Sequence, residues 1–194
     1  MKFKATLIVI ALVSLLAVGC TSTPADDTTT EAVTTEVAST EVTSTEADVI
    51  TTASIVDSAA AFENAVSSEG TWLIAIINDL AVESPLVLDG DFENGKLDAD
   101  GKAILQRKIA LYSQDADRNI TARYTLTAPS LTINSVNASI QHGTFVGDLF
   151  VSGLNFQLVD AQIEGNIYFT SEEAKSTFTL DEDSSVTGVQ EIKK

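Results

Sequence analysis

The feature that most constrains this chain is a repeat of eighteen residues. Ser130-Leu131-Thr132-Ile133, Asp148-Leu149-Phe150-Val151 and Asn166-Ile167-Tyr168-Phe169 begin eighteen residues apart, twice in succession. Phe145-Val146-Gly147 and Ile163-Glu164-Gly165 share the offset, and Ala138 and Ile140 lead likewise to Phe156 and Leu158. The next pair, Phe178 and Leu180, arrives after twenty-two residues, which predicts an outward loop near Ser171 to Lys175. Eighteen residues are also about five turns of an α-helix, so the number alone does not choose a fold. Local alternation, β-branched and aromatic content, and Gly at the joins choose short strands. Short strands at a fixed step predict a solenoid whose inward residues stack in layers. A sandwich or meander would reproduce the pattern only by coincidence of spacing.

The repeat occupies the last part of a chain of 194 residues, which has room for one domain with appendages. Lys2 and Lys4 precede an apolar run from Ala5 to Val13 that resumes from Leu15 to Val18 and ends at Gly19-Cys20. A charged start, a short apolar segment and small residues describe an export signal rather than a span, which needs about 20 apolar residues. The end of this run, LLAVGC, resembles the lipobox of bacterial lipoproteins, with Ala17 where that family most often has Leu. The resemblance implies a signal peptide over residues 1–19, a diacylglyceryl thioether on Cys20, cleavage before it, and acylation of the new amino terminus by palmitate or a similar chain. Lipid chains contribute roughly 0.8 kcal/mol per buried CH₂, so two or three anchor a protein durably. A single cysteine excludes an intrachain disulfide framework and a cysteine-based zinc cluster.

Residues 20–52 read as the lipidated cysteine followed by a disordered linker. Twelve of the thirty-two residues from Thr21 to Thr52 are threonine, and the segment holds no aromatic, Gly, Lys or Arg. Thr-Thr-Glu-Val at 34–37, Ser-Thr-Glu-Val at 39–42 and Ser-Thr-Glu-Ala at 44–47 are approximate repeats. So little apolar surface cannot offset chain entropy, and like charges hold such a segment open. As a stalk it reaches about 105 Å when extended and about 30 Å as a coil.

The folded domain is expected over 53–194. Ile55, Ala59, Phe62 and Val66 recur on one helical face, with Asp57 as a candidate cap and Glu69-Gly70 as the stop. Trp72 to Ile77, Leu80 to Val82 and Pro85 to Leu88 then read as short strands, followed by corners at Asp89-Gly90-Asp91 and Asn94-Gly95. The apolar positions from Ala103 to Leu111 fit either a helix or a strand, with strand preferred, and Ile120, Ala122, Tyr124 and Leu126 alternate as in a half-buried strand. The polar tail Glu191-Ile192-Lys193-Lys194 is expected to end the domain without adding an edge strand.

The stretches AFENAVSSEGTWLIAIINDLAVESPLVLDGDF and QHGTFVGDLFVSGLNFQLVDAQIEGNIYF resemble the pectin-lyase-like right-handed parallel β-helix, the first its capping helix and opening strands, the second its successive coils. The resemblance covers roughly Ser54 to Gly188 and consists of apolar positions and Gly corners. It implies an all-β fold, a short right-handed parallel β-helix with an N-terminal capping α-helix. Enzymes on that fold use acidic side chains with water, or calcium with a base.

The acidic residues outnumber the basic ones 28 to 11, a formal charge of −17 that repels nucleic acid. No catalytic set is assigned, because none of the carboxylate pairs sits in a motif that demands a cleft. No cofactor is required by any motif, and calcium is the ion that Asp89, Asp91, Asp98 and Asp100 would take. The match to a calcium loop is imperfect, since Gly95 comes one position late. His142, the only histidine, reads as a hydrogen-bonded corner residue. Arg107, Arg118 and Arg123 either meet an anionic sugar or pair with Asp115 and Asp117. Phe150 and Tyr168 occupy equivalent places and would form an outward aromatic ladder for a sugar or a protein, or pack under the loop at Ser171 to Lys175.

The expectation is a lipid-anchored, extracytoplasmic bacterial protein whose domain binds or scaffolds an envelope glycan or protein without turnover. The alternative is a polysaccharide lyase or hydrolase on the same fold. Against it stands size, since about 142 residues yield few coils, and a two-lobed solute receptor would need more chain.

Overall fold

The computed structural model describes residues 54–193, so the leader, Cys20 and the stalk lie outside the described residues. What is described is mostly β, with its main sheets parallel. One sheet runs Ser54–Val56, Leu73–Ile76, Arg107–Ala110, Ala138–Gln141, Gln157–Val159, Thr179–Leu180. In the other, Leu80–Ala81 and Leu86–Leu88 both pair with Thr125–Ile133, which pairs with Thr144–Val151. Gln162–Glu164 and Ile167–Phe169 follow on that strand, and Ser185–Val186 and Gln190–Ile192 close the order.

The register explains the repeat. Leu131, Leu149 and Ile167 pair in turn, as do Ile133, Val151 and Phe169, and all six are buried. Ile74, Ile109, Ile140 and Leu158 make the corresponding buried row in the first sheet. Each such side chain contributes roughly 1.5–3 kcal/mol on burial, and a one-residue slip would turn a whole row outward. The offset from Thr125 to Thr144 is nineteen, whereas Ser130 to Asp148 is eighteen. The irregularity between Thr127 and Ser130 falls at Pro129, which has no N–H to give a ladder.

The helix spans Ala59–Val66 and buries Phe62, Ala65 and Val66 against Ser54–Val56, Leu73–Ile76 and Leu86–Leu88. It begins later than the sequence suggests. Ile55 belongs to the preceding strand and is 70% exposed, because backbone pairing of Ser54 with Ile74 gives the inward place to Val56. Ser58, not Asp57, occupies the cap. Leu80 to Val82, Pro85 to Leu88 and Ala103 to Leu111 do contain strands.

Two antiparallel hairpins interrupt the parallel order, Glu93–Leu97 with Ala103–Leu105 and Tyr112–Gln114 with Ile120–Arg123. The alternating run from Ile120 is therefore divided between a hairpin arm and the strand Thr125–Ile133. The outward loop after Phe169 folds as a short helix, Glu172–Ser176, where the Ser171 hydroxyl accepts from the Ala174 N–H at 3.0 Å. The tail departs from expectation. Gln190–Ile192 is itself a terminal strand on Ile167–Phe169, held by Ile167 N–H to Val189 O and Lys193 N–H to Phe169 O.

Candidate functional site

Along Thr144–Val151, Leu149 and Val151 point into the core, so Phe150 projects to the other face. Its partner in register is Tyr168, with ring centroids 5.2 Å apart and planes inclined by 31°. Both rings are half-buried, and Lys193 Nζ stands 4.3 Å from the Tyr168 centroid and 5.9 Å from that of Phe150. The aromatic that packs inward near the Glu172–Ser176 helix is Phe178, which stacks on Phe156 at 5.6 Å and meets Phe169 at 5.3 Å.

The ring pair belongs to a longer row. Val87, Thr132, Phe150, Tyr168 and Glu191 are successive register partners. Two residues earlier lie Ser130 and Asp148 on the same strands and Asn166 just ahead of Ile167–Phe169. Asp148 Oδ1 accepts from both the backbone N–H and the Nδ2 of Asn166, whose Oδ1 accepts from the Val189 N–H. A pair of rings and a hydrogen-bonded polar pair, each within its own row, thus stand side by side across the strands.

A second cluster forms where the hairpin Tyr112–Arg123 meets the corners at His142 and Asp160. Arg123 Nη2 donates to Asp160 Oδ2 at 2.5 Å, and His142 Nδ1 lies 3.0 Å from the same oxygen. Tyr112 meets the His142 ring edge-on at 4.5 Å, and its hydroxyl accepts from Lys108 Nζ. A groove of about 300 Å³ lies beside the pair, lined by Arg123, Gly143, Thr144, Asp160 and Gln162. Hydrogen bonds from Arg123 and then His142 hold the Asp160 carboxyl below its ordinary pKa. Asp160 was not apparent from the sequence as a site residue. Its eighteen-residue offset from His142, the repeat length itself, is the signal that finds it.

Of the other basic candidates, Arg107 is structural. It is wholly buried, and its Nη2 donates to Ala65 O at 2.8 Å while Nη1 donates to Ser67 O and Asp89 O. It therefore does not meet a ligand as expected, because it satisfies carbonyls at the end of the first helix and in the loop beyond Leu88. Phe92 covers its guanidinium at 4.4 Å, and Nε is buried with no partner. Burial lowers its pKa to about 10, partly opposed by the Asp89 charge. Arg118 sits at positive φ in the turn from Asp115 to Asn119, where its N–H donates to Asp115 O.

Asp89, Asp91, Asp98 and Asp100 do not gather as a calcium site. Among the described residues no three His, Cys, Asp or Glu side chains converge in a group that would hold a metal ion. The reason is local: Asp98 Oδ1 accepts from the N–H groups of Asp100 and Lys102 and so closes the hairpin turn. Asp115 closes its own turn through Asn119 and Asp117, and Asp181 binds Ser184 and the Asp160 N–H. Those hydrogen bonds lower both pKa values, chiefly through the Asn119 side chain for Asp115 and the Ser184 hydroxyl for Asp181. No protein family, curated protein or solved structure matches the chain.

Proposed function

We propose that this chain is a lipid-anchored, extracytoplasmic bacterial protein whose domain, a short right-handed parallel β-helix, binds an envelope component without turning it over. The observation that carries the binding reading is the in-register pair of half-exposed rings, Phe150 and Tyr168, on the outer face of a parallel sheet. Aromatic area left partly in water on a rigid sheet is a preformed platform, since little conformational freedom is lost when a ligand settles on it. The β-helix reading draws on parallel pairing at eighteen- to nineteen-residue offsets and on the helix packed over the first strands. The anchor reading draws on LLAVGC at residues 15–20.

A second reading, a polysaccharide lyase or hydrolase, draws on the groove beside Arg123, His142 and Asp160, where a base and a cation stand together. One experiment addresses both. The mature chain is incubated with isolated cell envelope and with acidic and neutral glycans, and both retention and cleavage are scored. Retention without cleavage is the expected result, and cleavage abolished by Asp160→Asn would establish the enzyme instead. Labelling of cells with radioactive palmitate tests the anchor: label on the wild type and none on Cys20→Ser is expected.

A further inference from the structure

We propose that the Phe150–Tyr168 face takes a linear, neutral polysaccharide lying across the strands. This rests on the binding reading above and names its ligand. Sugar rings are amphipathic, with an apolar C–H face and hydroxyls around the edge, so they need a flat apolar support beside hydrogen-bonding groups. That combination is what the two rows supply. Phe150 and Tyr168 give two rings 5.2 Å apart, and Asp148, on the strand Thr144–Val151, and Asn166, just ahead of Ile167–Phe169, stand two residues before them, about 7 Å along the chain.

The polar row is held ready. The Asn166 amide is fixed by Asp148 Oδ1 and by the Val189 N–H, while Asp148 Oδ2 carries no hydrogen bond among the described residues and remains for a hydroxyl. Both rows continue straight onto the strand Thr125–Ile133, through Thr132 and Ser130. A track of this kind gives a single sugar one ring to rest on and gives a chain several contacts at once, so affinity grows with length.

Charge selects a neutral chain. Asp148, Glu164 and Glu191 share this sheet with one cation over the rings, Lys193, and the whole chain carries −17. A polyanion meets net repulsion there. The Lys193 ammonium donates to sugar hydroxyls or is displaced from the Tyr168 face.

Titration calorimetry of the mature chain tests this with neutral hexasaccharides of glucose and of N-acetylglucosamine, the matching disaccharides, and hexagalacturonate. The expected result is a hexasaccharide bound at least tenfold more tightly than its disaccharide, with hexagalacturonate weaker still. Phe150→Ala and Tyr168→Ala each weaken binding about tenfold, Tyr168→Phe preserves it, and Asp148→Ala weakens it while circular dichroism shows the variant folded at the assay temperature. Tighter binding of hexagalacturonate, equal affinity for disaccharide and hexasaccharide, or indifference to both alanine variants overturns the proposal. Retention of cell envelope with no binding of either hexasaccharide overturns it while leaving the broader binding reading intact. Loss of both overturns the two together.

Discussion

His142 and Asp160 occupy equivalent corners one repeat apart, both with positive φ, 58° and 47°, and the His142 Nδ1 lies 3.0 Å from Asp160 Oδ2. Arg123, reaching across from the hairpin, donates to the same oxygen. One carboxylate therefore ties an inserted hairpin to two successive corners, and its protonation is linked to how firmly that hairpin is held.

The sign of the pH dependence follows from the lowered Asp160 pKa. A carboxylate depressed in the folded state contributes stability that is full above its ordinary value of 3.8 and is lost as pH falls through the folded value. Asp115 and Asp181 act in the same direction. Asp160→Asn is expected to cost about 0.5–1 kcal/mol at pH 7, the size of a partly exposed ion pair, and progressively less below pH 3.8. Urea unfolding of both proteins across this range checks it.

Arg107 is the most consequential polar side chain of the interior. Arg107→Ala strands the carbonyls of Ala65, Ser67 and Asp89 and is expected to destabilise by about 3 kcal/mol. Arg107→Lys recovers little, because one ammonium does not reproduce the planar fork. Denaturant midpoints of the two variants measure this, and equal stability of Arg107→Lys and wild type would contradict the assignment.

Gly147 has φ +142°, and a Cβ there would stand 2.0 Å from the Ala128 carbonyl oxygen. Gly147→Ala is expected to cost more than about 2 kcal/mol, since backbone must move apart in the longest strand pair. Gly95 also has positive φ, but a Cβ there meets nothing within 4 Å. Gly95→Ala should lose only about 1 kcal/mol from backbone strain. Thermal melts of the two variants side by side separate crowding from strain.

Asn137 and Asn155 form a second corner pair, both at positive φ, with Asn155 Nδ2 donating to Asn137 Oδ1 at 2.9 Å. Asn155→Ala loses that bond and meets left-handed strain, for about 1–2 kcal/mol in all. Asn155→Gly loses the bond alone and should be the milder change. Equal losses for the two variants in urea denaturation would show that the side-chain bond, not the backbone, governs this corner.

The eighteen-residue period marked the buried rows, the Phe150–Tyr168 register and the later insertion, because parallel pairing repeats at a fixed residue count and strand alternation separates inside from outside. Hairpins at Glu93–Leu105 and Tyr112–Arg123 were not legible, since they lie outside the period and their antiparallel pairing carries no distinctive spacing. Asp98 looked like a calcium ligand because charge is visible in a sequence, whereas the backbone N–H groups that consume it are not.

By itself the sequence determined which residues share a row, which face is wet in the strands that follow the eighteen-residue period, and that the chain is strongly acidic. These depend on counting residues and on side-chain chemistry, both of which are local. Only the tertiary structure decided that Arg107 is buried against carbonyls while Arg123 crosses thirty-seven residues to Asp160. Two arginines of identical chemistry diverge there because each fate depends on which backbone oxygens or carboxylates approach through space, and residue counting cannot report that.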